Sequence, residues 1–342
     1  MNAIILSLLL IFLAGFFQGT FGLGMKKYAP LSWEAFWLIY VVLGMIIVPF
    51  IWVSIVIPDV FEAVFSLESG NMMQALVFGG LWGLGAIMFG LAINYIGVAL
   101  VYGITMGLAA ALGSLLPLAA IPDIGQNPAV PYIFLGIIIL LVGITILTIA
   151  GVKRDSFLLQ ETTTITGIKQ GKWFRLGVLF SILNGVFAAL LNVGFTKALP
   201  AAKVAEAQGA TTQNASLAAW MTVLFGGFVI NIIYSLYQLF KNKSFITFLT
   251  KDSYKGILWA TGTATLFFAA LGLYGQGAAV MGELGPVIGW PMFLGLALII
   301  SSIWGIVSGE WKGARKPLRL MLTGDAVLIG AWIILGYANS LI

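Results

Sequence analysis

The sequence contains no cysteine and no histidine, and only 8% of its 342 residues are charged. Without these two residue types, the commonest protein ligands of zinc and haem are absent. Ser-His-Asp and Cys-His nucleophile chemistry is excluded, and so are disulfides. We therefore expect no metal site, no cofactor and no enzymatic activity.

The scarcity of charge also indicates the class of protein. Soluble domains usually carry about a quarter charged residues, whereas this chain is 61% apolar. Its net charge of +5 comes from short loops between apolar runs, which is typical of membrane topology and not of a nucleic-acid surface. We expect an integral membrane protein whose partner is the lipid bilayer, with no nucleic-acid partner.

Ten apolar runs each have about the ~20 residues that cross a bilayer. Their continuity, without period-two alternation, favours helices over a barrel. Gly97, Gly282, Gly285 and Pro286 predict tight turns between runs three and four and between runs eight and nine. The first run lacks a preceding basic region and a clear cleavage site, so we interpret it as a retained helix. The predicted spans are 3–25, 35–57, 73–95, 98–121, 131–151, 175–199, 215–240, 256–278, 286–308 and 318–340.

The basic residues predict an orientation. Of the 17 lysines and arginines, only Lys197 and Lys203 fall in even-numbered loops. Positive charge stays on the cytoplasmic side, so the odd-numbered loops are expected inside and both termini outside, in the cytoplasmic (inner) membrane.

A motif near the N-terminus recurs 170 positions later. Gly15, Phe17, Gly24, Lys27 and Pro30 coincide with Gly185, Phe187, Gly194, Lys197 and Pro200. The first copy ends inside and the second ends outside, which predicts an inverted repeat. Later landmarks recur at shifts of 186 and 187 in the same order: Gly85 with Gly272, Gly90 with Gly277, Ala92 with Ala279, and Pro131 with Pro317.

The repeat predicts two five-helix halves, 1–151 and 175–342, joined by a cytoplasmic connector at 152–174. Two similar halves of opposite topology can exchange conformations, and this carries a central site from one side of the membrane to the other. Such alternating access indicates a secondary transporter.

The sequence resembles the L-rhamnose–proton symporter family of the drug/metabolite transporter superfamily. The resemblance rests on SWE at Ser32–Glu34 after a double lysine, LWGLG and GL-x-x-x-Y-x-G within Leu81–Gly97, and EWKGARKP at Glu310–Pro317. It implies ten helices in a five-plus-five inverted repeat and proton-coupled uptake of a small sugar. One segment departs from the family: Tyr274–Met292 reads YGQGAAVMGELGPVIGWPM, where family members carry polar and charged residues. This departure leaves the identity of the sugar open.

Polar side chains at membrane depth are costly and usually face a cavity or a partner. Gln18, Asn184 and Asn192 are such residues, and Gln276 lies in the divergent segment. An amide can both donate to and accept from sugar hydroxyls, so all four are substrate-binding candidates. The alternative is that they bond a neighbouring helix.

Three aromatic residues, Trp82, Tyr102 and Trp290, are further substrate-binding candidates. Sugar faces stack on aromatic rings. Each lies within a few turns of a run's end, so interfacial anchoring is the alternative.

Proton coupling requires an ionisable group, and without histidine a carboxylate is the most suitable. Glu34, Glu283 and Asp325 lie near or within apolar runs. Their respective alternatives are a helix N-terminal role, surface solvation and a structural role. Lys27 and Lys197 end the repeated helices and are candidate gate residues, unless they only reach to the interface.

Other functions remain open at this point. An exporter of the same fold, for amino acids, drugs or other metabolites, would share the same features. A membrane enzyme is disfavoured by the missing histidine, and a channel by the lack of a charged ring or filter-like sequence.

Overall fold

Ten long helices make up the body of the protein. The structure, a computed structural model, describes residues 3–161 and 171–341, and within these it is helical with no strand. The ten predicted spans and the all-helical fold class are confirmed. The helices are α1 Ala3–Met25, α2 Trp33–Val56, α3 Ser69–Ile96, α4 Val98–Ala119, α5 Val130–Glu161, α6 Lys172–Ala198, α7 Thr212–Asn242, α8 Ser253–Met281, α9 Gly285–Val307 and α10 Arg315–Asn339.

The two tight turns form where the glycines predicted them. Gly97 separates α3 from α4 with φ of 81°, and Gly282 follows α8 with φ of 79°. Left-handed backbone of this kind costs glycine little, because glycine has no Cβ. Ser32 begins α2 as its N-cap and accepts from the Ala35 N–H, which satisfies one of the free donors of the first turn.

Helix α5 is longer than its apolar run. It continues to Glu161, past the predicted end at residue 151, because Lys153, Arg154 and Asp155 are as compatible with a helix as with a loop once the chain has left the apolar region. The predicted connector 152–174 is therefore partly helical. Residues 162–170, in its middle, lie outside the described residues.

Helix α2 contains an irregular turn. Residues Leu43–Ile47 are π-helical, and the Val48 N–H reaches back to the Leu43 carbonyl. Pro49 follows directly, and a proline cannot donate to the ladder. A π-turn of this kind widens a helix locally and is frequent at functional sites.

The chain divides into two compact units. The first comprises Met1–Leu84 and Val193–Gly282, and the second comprises Gly85–Asn192 and Glu283–Ile342. In the first, α1 packs along α8, and α2 packs on α7 and α8. In the second, α5 packs along α10, and α4 packs on α9. These units follow packing, whereas the predicted halves follow chain order; the halves remain a prediction.

Glycines let the backbones of neighbouring helices approach closely. In the first unit, a Cβ at Gly79 of α3 would overlap the Val223 carbonyl of α7. A Cβ at Gly226 would in turn overlap the Leu76 carbonyl of α3. In the second unit, Gly143 of α5 and Gly324 of α10 face each other's carbonyls. Such small-residue contacts drive association in lipid, where burial of apolar side chains gives little advantage.

The α3–α7 contact predicts a strong stability effect. Gly226→Ala places a methyl group on a backbone carbonyl that cannot move alone, and we expect a loss of about 1–3 kcal/mol. Thermal unfolding of the purified protein in detergent measures it. Gly90→Ala is the matched control, since a Cβ there meets nothing within 4 Å. Equal melting temperatures for the two variants would contradict the prediction.

Candidate functional site

Two prolines each remove one hydrogen bond from the backbone of two helices of the second unit that pack on each other. Pro117 lies inside α4 and Pro291 lies inside α9. A proline has no N–H to give to the carbonyl four residues earlier. Gly113 and Val287 therefore have carbonyls that lack their usual helical donor, at positions buried in the protein.

Two side chains supply the missing donors. The Asn192 amide donates from Nδ2 to the Gly113 carbonyl at 2.8 Å and to the Pro286 carbonyl at 2.9 Å. The Ser114 hydroxyl donates to the Val287 carbonyl at 2.6 Å. We call Gly113, Ser114, Asn192, Pro286 and Val287 the proline-carbonyl cluster. It joins α4, α6 and α9 through polar contacts that compensate for the two prolines.

Trp290 lies beside this cluster. Its Nε1 donates to the Ala109 carbonyl at 2.9 Å, and its ring lies where a Cβ on Gly113 would be. The structure thus brings together Asn192 and Trp290, two predicted substrate-binding residues. Both side chains donate to backbone carbonyls of other helices, as in the alternative of interhelical bonding. A role in substrate binding stays a prediction.

Asn184 and Tyr102 also lie in the second unit. Asn184 Nδ2 donates to the Thr105 hydroxyl at 2.9 Å, and Thr105 donates to the Ser181 carbonyl at 3.4 Å. Tyr102 packs edge-on against Phe89, with ring centroids 6.2 Å apart. Their substrate-binding roles also stay predictions.

The first unit contains an aromatic group around Phe267 of α8. The Trp82 ring lies parallel to Phe267, with an interplanar angle of 5° and centroids 6.0 Å apart. Tyr40 and Phe21 meet the same ring at 5.4 and 6.0 Å. Trp82 is half-buried, so part of its surface is open to a partner. We call Phe21, Tyr40, Trp82 and Phe267 the aromatic group.

A buried amide beside this group was not predicted. Asn231 of α7 accepts from Trp37 Nε1 at 3.1 Å and donates to the Gly227 carbonyl at 2.9 Å. The Trp37 ring packs against the Tyr40 ring, with centroids 4.9 Å apart. The criterion that selected Asn184, an amide inside an apolar run, also applies to Asn231 and would have found it.

The other two predicted amides lie in the first unit. Gln276 Nε2 donates to Asn214 Oδ1 at 2.8 Å, which joins α8 to the start of α7. Gln18 Oε1 is buried and has no hydrogen-bond partner among the described residues. An unsatisfied buried acceptor requires a water, a ligand or another explanation, so Gln18 keeps its place among the candidates.

The three candidate carboxylates have different surroundings. Glu34 accepts from Asn242 at 3.0 Å and from the Ser244 hydroxyl. Glu283 is exposed in the turn before α9, as the surface-solvation alternative expects. Asp325 is buried in α10, with 8% of its surface exposed.

The two candidate gate lysines also differ. Lys27 Nζ lies 4.4 Å from the centre of the Trp259 ring of α8, a distance at which a cation is attracted to an aromatic face. Lys197 is half-buried in the last turn of α6. For each lysine, a role as a gate on the membrane face that its helix end reaches stays a prediction.

The EWKGARKP stretch has a structural role in the second unit. Arg154 of α5 forms ion pairs with Glu310 at 3.3 Å and Asp155 at 2.7 Å. Its guanidinium also lies 4.9 Å from the centre of the Trp311 ring. These contacts tie the end of α5 to the α9–α10 loop, so the glutamate and tryptophan of this stretch position helices.

Comparison with known proteins gives consistent results. The family model described as L-rhamnose-proton symport protein matches residues 1–340. An L-rhamnose-proton symporter of Yersinia pestis bv. Antiqua (strain Antiqua) is 25% identical over 348 residues, which cover 98% of each chain. One of Yersinia pseudotuberculosis serotype O:3 (strain YPIII) is 24% identical over 346 residues, again 98% of each.

A solved structure shares the fold. A protein known from a crystal structure superposes with a TM-score of 0.57 at 14% identity, covering 96% of this chain and 95% of the other. At that identity the likeness concerns the fold alone. The sequence matches carry the family assignment, since they extend over almost the whole chain: the protein belongs to the L-rhamnose–proton symporter family, and it is a multi-pass membrane transporter and not an enzyme.

Proposed function

We propose that this protein takes up a small sugar such as L-rhamnose together with a proton, across the cytoplasmic (inner) membrane, by alternating access. The observation that carries the proposal is the family match over residues 1–340, together with ten helices long enough to cross a bilayer. The relatives named above are L-rhamnose-proton symporters, which supports the substrate class.

Several contacts support the inverted repeat that alternating access requires. Gly24 of α1 lies against Thr263 of α8, and its counterpart Gly194 of α6 lies against Phe78 of α3. Under the repeat, α1 corresponds to α6 and α8 to α3, so the two contacts are equivalent. The internal prolines Pro117 and Pro291 also fall on corresponding helices, α4 and α9.

The pairing of helices supports the same proposal. The repeat relates each helix of the first half to the helix five places later. The pairs α2–α7, α4–α9 and α5–α10 therefore each consist of two equivalent helices, and the pair α4–α5 is equivalent to α9–α10. All of these pairs are in contact.

We assign the sugar chiefly to the aromatic group. Trp82 combines a partly open ring with a position near the middle of α3, and a sugar face can stack on such a ring. Gln18, with its unsatisfied acceptor, is the polar candidate of the same unit. In contrast, the Asn192 amide donates to two carbonyls of the proline-carbonyl cluster, which favours a structural role.

Reconstituted transport tests the function. Purified protein in liposomes should accumulate L-rhamnose when the outside is made acidic, and a protonophore should abolish this. With one proton per sugar, a potential of 100 mV is worth about 2.3 kcal/mol, or roughly 50-fold accumulation. Binding without proton-driven accumulation, or accumulation of amino acids instead, would refute the proposal.

Two variants separate sugar recognition from packing. Trp82→Leu should weaken sugar binding up to about tenfold, because it removes a stacking surface worth about 0.5–1.5 kcal/mol. Asn192→Leu should instead lower the melting temperature without sugar, since each carbonyl left unpaired costs about 1–3 kcal/mol. Tryptophan quenching and thermal unfolding measure the two effects. If Asn192→Leu kept wild-type stability and lost sugar binding, the assignments would be reversed.

Topology is testable because the chain has no cysteine. Lys27→Cys should be protected from a membrane-impermeant maleimide in intact cells, and Lys203→Cys should react. The basic loops predict this difference, because positive charge stays inside. Labelling of both positions from outside would exclude the proposed orientation.

A further inference from the structure

Asp325 stands apart from the other acidic residues of the chain. It is 8% exposed, whereas every other acidic side chain with a described environment is half-buried or exposed. It lies in α10, on the side that faces α9. An ionised carboxylate at the centre of a bilayer costs about 2.5–3.5 kcal/mol on insertion scales, so a buried one needs a partner, water or a proton.

The contacts of Asp325 provide only part of this compensation. The Ser302 hydroxyl of α9 hydrogen bonds the carboxyl group. Its Oδ1 is buried and has no hydrogen-bond partner among the described residues. The carboxyl group thus has one neutral donor and one free oxygen.

No basic residue neutralises Asp325 in the described part of the chain. The elements packed on α10 are α5 and α9, and α9 contains no ionisable residue. Arg154 of α5 is held by Asp155 and Glu310. Tyr132 near the start of α5 packs edge-on against Tyr337 near the end of α10. The remaining charged groups lie towards the end of α5 or at the start of α10: Lys153, Arg315, Lys316 and Arg319.

Asp325 lies on a helix that packs closely on α5, next to a helix that contains a proline. The neighbouring Gly324 packs on Leu147 and on the Gly143 carbonyl of α5, which fixes α10 to α5. Ser302 lies on the same helix as Pro291 and the Val287 carbonyl. A change in the Asp325–Ser302 hydrogen bond would therefore affect α9, which also contributes Pro286 and Val287 to the proline-carbonyl cluster.

We propose that Asp325 binds the transported proton and that Ser302 positions its carboxylate. Protonation converts the carboxylate into a neutral acid with one new O–H bond, and release of that proton on the other side restores the anion. The inference rests on the proposed sugar–proton symport and names its proton site; Glu34 and Glu283 then have no part in coupling.

Neutralising Asp325 tests the assignment. In liposomes, Asp325→Asn should bind L-rhamnose and exchange it between the two sides, yet lose accumulation driven by a pH gradient. Wild type with one proton per sugar should reach about tenfold accumulation for one pH unit, and the variant should stop at equal concentrations. Ser302→Ala should still accumulate sugar, but the dependence of accumulation on pH should shift. If Ser302 had a purely structural role, this pH dependence would stay unchanged.

The controls separate the possible failures. Glu206→Gln, an exposed acid in the short helix Pro200–Ala207, should behave as wild type. If wild type itself shows no proton-driven accumulation, the proposed function fails. If wild type accumulates sugar and Asp325→Asn does so equally, or if only Glu34→Gln or Glu283→Gln abolishes it, the assignment of Asp325 is wrong.

A second measurement covers the case in which Asp325→Asn does not fold. A hydrophobic carbodiimide reacts with protonated carboxyl groups inside membranes. In wild-type protein it should modify Asp325 at low pH, less at high pH, and inhibit accumulation in parallel, as peptide mass spectrometry and uptake can measure. Absence of modification at Asp325 under conditions that inhibit transport would overturn the proposal.

Discussion

Every backbone carbonyl inside a bilayer needs a hydrogen-bond donor, because lipid offers none. Pro117 and Pro291 break this rule within their own helices, and the second unit restores it with Asn192 and Ser114. The compensation acts between helices, so α4, α6 and α9 cannot separate without exposing unpaired carbonyls. The position of Pro291 in α9, and of Trp290 next to it, depends on these three bonds.

Close backbone packing supplies the rest of the cohesion. Apolar side chains gain little by leaving lipid for a protein interior, so contact area between backbones matters more. The 42 glycines of the chain are used in this way at Gly79 and Gly226 in one unit and at Gly143 and Gly324 in the other. The same residues explain how long helices can carry so few polar contacts and still pack specifically.

The sequence predicted the helices well because the property that defines a membrane helix, a continuous apolar run, is local. The turns at Gly97 and Gly282 were predicted from glycine and proline residues at those places. The extension of α5 to Glu161 was missed, because a helix that leaves the membrane no longer shows an apolar run.

The candidate site was less accessible to prediction for a different reason. Asn192 and Trp290 were singled out by residue type, but their partners are carbonyls of Gly113, Pro286 and Ala109, and a carbonyl has no signature in a sequence. Ser114 and Ser302 look like ordinary helix residues until the proline or the carboxylate opposite them is known. Residue type indicates which groups need partners, and only the fold indicates which partners they have.

The segment that departs from the family, Tyr274–Met292, is explained by packing. In the first unit, the lack of a side chain at Gly275 leaves room for the Trp220 and Phe195 rings, and Gly277 leaves room for Ile11. In the second, Pro286 and Val287 belong to the proline-carbonyl cluster. Within the segment, the Gln276 amide bonds Asn214, the Trp290 indole donates to the Ala109 carbonyl, and Glu283 is exposed. The aromatic group with Trp82, which we proposed as the sugar site, lies outside this segment. A substrate with a more apolar face than that of a fully hydroxylated hexose suits such a surface, as the 6-deoxy sugar of the family name does.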